Sequence, residues 1–240
     1  MLQESINEKN KVLYEKLKSA GVEISFEIDP NVTVWYVQQK FSFKIASPND
    51  IPNPAAMAHE LFHVALNLKG FWEGFSVYKL FNERNSLFDP ESIGILNNSL
   101  AHFKMIDDFL QMGFHVDEFL QDTPKQYFLE GIVFQIPKMI LKHKTGLADI
   151  CLETLEIIQL CASLKLFELY KIKYPETKNA LYVPTLMEQL KEINKDLVEG
   201  LDKLFNEWIQ TNTVDNLQFY FRLDHLLKSL GVSNAADCKS

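Results

Sequence analysis

Only three cysteines occur in the 240 residues, Cys151, Cys161 and Cys238, an odd number at wide spacing. That argues against a disulfide framework and against a C-x-x-C zinc site, and it suits free thiols in a reducing compartment. Basic side chains are also short, with 24 Lys and Arg against 32 Asp and Glu and a formal net charge of −8. Such a balance speaks against a chain-wide electrostatic grip on nucleic acid or anionic lipid. Long apolar runs are missing too. The most apolar window, Gly131 to Leu141, is interrupted by Gln135, Pro137 and Lys138 and falls short of the roughly 20 residues a spanning helix needs. The first residues, Met1-Leu2-Gln3-Glu4-Ser5, lack the basic-then-apolar layout of a signal peptide. The expectation is therefore a cytoplasmic protein with no membrane and no nucleic-acid partner. Nine glycines form no nucleophile elbow, no P-loop and no dinucleotide fingerprint. Histidine, at six copies, is the scarce ionisable type, and its placement carries the chemistry.

The pattern changes period along the chain. Residues 3 to 19 place Ile6, Val12, Leu13 and Leu17 among charges, as a surface helix does, with Gly21 as its stop. Val22 to Ile28 alternates, Asp29-Pro30-Asn31 is a turn, Val32 to Val37 is β-branched and aromatic, and Phe41 to Ile45 alternates again. Three strands so close together predict a small antiparallel sheet. Helices follow. Asn53 with Pro54 is a cap and first-turn pair, closed by Gly70, and a second helix runs from Asp89-Pro90-Glu91 to Met112-Gly113. Further helical stretches fall near 125–143, 147–172, 185–210 and 214–230. Thr185 with Glu188 reads as a capping-box start, and Leu186, Leu190, Ile193, Leu197, Leu204 and Trp208 form a narrow apolar seam. Intramolecular packing accounts for that seam, with a homodimer through the C-terminal helices as the alternative. The fold class is α+β: residues 1–146 as a metal-binding domain containing the small sheet, and 147–240 as a helical subdomain packed on it.

Inside the Asn53–Gly70 helix lies His59-Glu60-Leu61-Phe62-His63, the H-E-x-x-H pattern. Positions i and i+4 lie about 40° apart around a helix and about 6 Å along it. Two imidazoles so placed can converge on one ion without bending the backbone, and a carboxylate at Glu60 flanks that ion. Ala55, Met57, Ala58, Leu61, Phe62, Ala65 and Leu66 make the helix apolar on most sides, as a water-excluding metal site requires. A third ligand is suggested by His102, 39 residues after His63 in the 90–112 helix. Its face reads Ile95, Asn98, Ser99, His102, Ile106, Phe109, and polar groups set among apolar ones need partners. An ion at His102, with Asn98 one turn before it as a supporting or substrate contact, explains the placement. The carboxylates Glu91, Asp107, Asp108 and Glu73 are rivals for the role. His115, His143 and His225 carry less information, and Tyr127, Tyr170 and Tyr220 are open candidates for an oxyanion donor.

Over roughly residues 22–113 the chain resembles the zincin metallopeptidases, on the five residues His59 to His63 and on element order. The resemblance implies Zn²⁺ as cofactor, His59 and His63 as ligands, Glu60 as general base, and a peptide or protein as substrate. It also implies a sheet edge lining the substrate cleft, for which Phe41 to Ile45 is the candidate. The metzincin extension is absent, because its glycine and third histidine would fall at Leu66 and Lys69. The spacing is closer to the gluzincins, which take a glutamate from a later helix where this chain offers His102. Two other readings stand beside a peptidase. One is a zincin-like protein that binds or regulates a partner without catalysis; the other is a DNA-associated regulatory peptidase, resembling small cytosolic bacterial zincins that cleave regulators, against which the acidic balance weighs.

Overall fold

The computed structural model describes residues 2–39, 42–82, 87–119, 129–173 and 183–232, the side chains of 129–130 and 170–173 apart. Contacts divide the chain into two compact units, Met1–Phe71 with Lys104–Thr123, and Trp72–Phe103 with Pro124–Ser240. This division falls elsewhere than the boundary at 146/147 expected from the sequence.

The first unit opens with a one-turn 3-10 helix, Leu2–Ser5, and α1, Lys11–Ser19. These stand where the sequence pattern suggested one helix. The break is held by Asn10, whose buried amide donates to Ser5 O at 2.8 Å and to Pro54 O at 2.9 Å. Strands β1 (Ile24–Ile28), β2 (Tyr36–Gln39) and β3 (Phe43–Ser47) follow. The sheet order is β1-β3-β2, with β1 parallel and β2 antiparallel to β3. The expected small sheet is thus present, but it is mixed. The Asp29 turn carries the chain across to the far side of β3: its carboxylate accepts from Asn31 N at 3.0 Å and from the Tyr36 hydroxyl at 3.3 Å. Those donors hold Asp29 below the usual carboxylate pKa, the Asn31 amide first. Neighbouring residues Ile45 and Ala46 point to opposite faces of the sheet and are both fully buried. Hence β3 is the covered central strand, and the expectation that Phe41–Ile45 forms an edge of the cleft is overturned for the residues described.

Helix α2, Pro54–Leu68, packs on this sheet. Asn53 Oδ1 accepts from Ala56 N at 3.0 Å, Pro54 supplies the helical φ of the first turn, and Gly70 at φ +97° ends it. Met57, Leu61 and Val64 project into a core with Leu17, Trp35, Phe43 and Ile45. Each such side chain contributes about 1.5–3 kcal/mol through removal from water. The unit is completed by the last turns of α4 (Pro90–Gln111) and by the single-turn α5 (Val116–Phe119).

The second unit is helical: α3 (Gly74–Asn82), the body of α4, α6 (Leu129–Lys144), α7 (Ile150–Lys173), α8 (Val183–Gln210) and α9 (Leu217–Ser229). Helix α3 has no counterpart in the sequence reading. Helix α8 begins at Val183, so Thr185 lies inside it and does not cap it. At Asn194 it is interrupted by an extended residue whose Oδ1 accepts from Leu197 N at 3.1 Å, so two helices meet there and the second has its own cap. The seam from Leu186 to Trp208 is buried within this unit. A buried amide clasp ties three segments. Asn216 Oδ1 accepts from Trp72 N at 2.8 Å, and Asn216 Nδ2 donates to Trp72 O at 3.0 Å and to Asn97 Oδ1 at 2.6 Å. Cys161 is a buried free thiol, whereas Cys151 is disulfide-bonded. The expectation that the cysteines are free thiols fails at Cys151. Among the described residues no helix is long and apolar enough to cross a membrane.

Two substitutions grade these interactions. Asn53→Ala removes one half-buried helix cap and is expected to lower unfolding free energy by about 1 kcal/mol. Asn216→Ala strands several buried groups at once and is expected to cost about 2–4 kcal/mol. Urea denaturation of both variants measures the order, and a milder effect at Asn216 would contradict the clasp.

Candidate metal centre

The apolar first turns of α2 bury His59 and Glu60 to 3% exposure each, and His63 is half-buried one turn on. On the helix the two rings converge: His59 Nε2 lies 3.1 Å from His63 Nε2, with ring centroids 4.9 Å apart and planes at 55°. That tilt turns nitrogen toward nitrogen and away from face-to-face stacking. The Phe119 ring of α5 lies against His59 at 4.8 Å, itself edge-on to Phe109 of α4 at 5.0 Å. The aromatic contact restricts rotation of the His59 ring.

His102, 2% exposed, stands on α4, one residue before the point where the two units divide inside that unbroken helix. Ligand nitrogens of His59, His63 and His102 all lie within 4.8 Å of one another. Two nitrogens bound tetrahedrally at about 2.0–2.1 Å from one zinc ion are about 3.3 Å apart. The His59–His63 pair already meets that separation, and a ligand nitrogen of His102 lies within 4.8 Å of both. Three neutral nitrogen donors in a buried setting suit Zn²⁺, and the residues therefore fit the ion. The 3.1 Å pair also has the length of an N–H···N hydrogen bond, with donor and acceptor set by tautomer.

Among the described residues this is the group of three able to hold an ion, and it contains no carboxylate. Glu91, Asp107 and Asp108 are exposed on α4, and Glu73 is half-buried ahead of α3. Asn98 is half-buried and Ser99 Oγ donates to Ile95 O of its own helix at 3.2 Å. The buried asparagine of α4 is Asn97, which lies off that face and is bonded to Trp72 O and to Asn216. His115 is exposed, and its backbone N–H donates to Glu118 Oε2 at 2.7 Å. His143 Nδ1 pairs with Glu153 Oε2 at 3.1 Å, and His225 is exposed on α9. Tyr220 lies in the core of the second unit, its hydroxyl 3.4 Å from Ile93 O and burial raising its pKa well above normal. Tyr127 and the side chain of Tyr170 lie outside the described residues. Burial brings Lys104, two residues beyond His102, down to about 8.

A cleft of about 260 Å³ opens beside α2 in the first unit. It is lined by His59 and Glu60, by the segment Thr33–Trp35 leading into β2, by Pro48, Asn49, Ile51, Pro52 and Asn53 of the loop before α2, and by Glu118 and Phe119 of α5. The sheet therefore reaches the cleft through the approach to edge strand β2. Neither wall residue of α5 was read from the sequence. A glutamate three residues after His115, just past the Gly113 stop, was the available signal of a short capped helix. Comparison with protein families, with curated proteins and with solved structures finds no match.

Titration with zinc by calorimetry is expected to give one site per chain. Alanine at His59, His63 or His102 should each weaken it by more than the 10–100-fold that a merely supporting residue costs, and Glu91→Gln should leave it unchanged. Unchanged affinity in His102→Ala would return the third position to a carboxylate.

Proposed function

We propose that the protein is a zinc-dependent hydrolase acting on peptide bonds, with His59, His63 and His102 as the metal ligands and Glu60 as general base. The observation that carries this reading is the convergence of three imidazoles within 4.8 Å beside a glutamate that lines the same cleft as His59. Zinc bound to three imidazoles supplies Lewis acidity, which lowers the pKa of a water to about 7 and polarises a carbonyl.

The chain's own residues supply the rest. The Glu60 carboxylate, held in the floor of the cleft, takes a proton from water as the water oxygen attacks the peptide carbonyl carbon. As the C–N bond breaks, Glu60 passes that proton to the leaving nitrogen, so the products are a carboxylic acid and an amine. Its position directly after His59 on a rigid helix fixes the carboxylate relative to the ligand set, and this preorganisation spares reorganisation in the transition state. Walls formed by Trp35, Pro52 and Phe119 limit water around the reacting groups.

The hydrogen-bond length between His59 and His63 supports a second reading, a metal-free scaffold that binds a partner without turnover. One variant separates them. Glu60→Gln is expected to retain zinc at wild-type stoichiometry and to lose peptide hydrolysis by about 10²–10⁴-fold. Zinc content by elemental analysis and hydrolysis of a mixed fluorogenic peptide pool are measured side by side. Undiminished turnover would exclude the general-base role.

A further inference from the structure

We propose that Glu118 selects the substrate of the cleft by pairing with a lysine or arginine side chain of the bound peptide, an inference that rests on the hydrolase reading above. Among the described residues lining the cleft, the carboxylates are Glu60 and Glu118, and there is no lysine or arginine. Glu60 is committed to the floor beside His59. Glu118 is half-buried and lines the same cleft.

Its carboxylate is held in place. Glu118 Oε2 accepts the His115 backbone N–H at 2.7 Å, which caps α5. Phe119, the next residue, is fully buried and anchors α5 by its ring contacts with His59 at 4.8 Å and Phe109 at 5.0 Å. A carboxylate offers about four lone-pair sites, so the cap bond leaves room for a charge-assisted bond to a cation. The other walls suit the rest of such a side chain. Val34 and Ile51, 36% and 65% exposed, are apolar surface of the same cleft. Aliphatic stems of lysine and arginine lie along surfaces of this kind while their heads reach a charge. An acidic side chain in the same place meets two carboxylates and is repelled.

The test uses the zinc-loaded full chain and matched fluorogenic peptides that differ at one position, Lys, Gln or Glu, with that position walked along the sequence. At one position, kcat/KM should favour Lys over Glu by about fivefold or more, the scale of an exposed charge pair. Glu118→Gln keeps an acceptor for the His115 N–H and should erase the preference, while Glu118→Lys should reverse it. Thermal melts of both variants verify that α5 stays folded. A preference that is absent, or that survives in Glu118→Gln, overturns the inference.

Binding of the same peptides to Glu60→Gln, read by fluorescence anisotropy, separates the two claims. A Glu118-dependent preference in binding without any turnover by the wild type retires the hydrolase and keeps the pairing. Turnover without preference retires the pairing alone.

Discussion

Two imidazoles one helical turn apart, their Nε2 atoms 3.1 Å from each other, are the constraint on which the rest of the site depends. Nitrogens this close need a shared proton or a shared cation between them, since two facing lone pairs repel. His102 offers a third ligand nitrogen within 4.8 Å of both, and one proton serves one pair whereas one ion can serve three donors. Burial sharpens the requirement. His59, Glu60 and His102 are each 3% exposed or less, so little water reaches them to solvate a mismatched charge.

The scaffold meets that requirement by fixing α2 at both ends and along its face. Asn53 and Pro54 set where the helix starts, Asn10 grips its first carbonyl from the N-terminal segment, and Gly70 releases the chain at the other end. Between them Met57, Leu61 and Val64 commit one face to the sheet, which leaves His59 and Glu60 on the floor of the cleft. Phe119 then covers the His59 ring. Structure and chemistry are joined at that ring: the same contact that restricts its rotation brings Glu118 to the wall of the cleft.

Much of this was legible from residue order. The start of α2 was readable because Asn-Pro is a local signal, and its end because Gly70 needs a positive φ; neither depends on what packs around them. His102 was readable as a polar group on an apolar stripe. The pairing of β1 with β3 was not, because alternation fixes which residues share a face and is silent on which strand lies beside which. The same limit hid the central position of β3 and with it the true wall of the cleft. Asn97 was passed over for its neighbour Asn98, since their difference is made by Trp72 and Asn216, far along the chain. Helix α5 has four residues and too little periodicity to announce Phe119, and the disulfide at Cys151 is invisible to a count of three thiols.

A zinc ion held among His59, His63 and His102, as proposed, is open to direct observation. The most direct measurement is an anomalous difference map at the zinc absorption edge from crystals of the zinc-loaded protein. A single strong peak is expected within about 2.0–2.2 Å of one nitrogen from each of the three rings. A peak ligated by a carboxylate in place of His102, or three rings joined by hydrogen bonds with no peak among them, would contradict it.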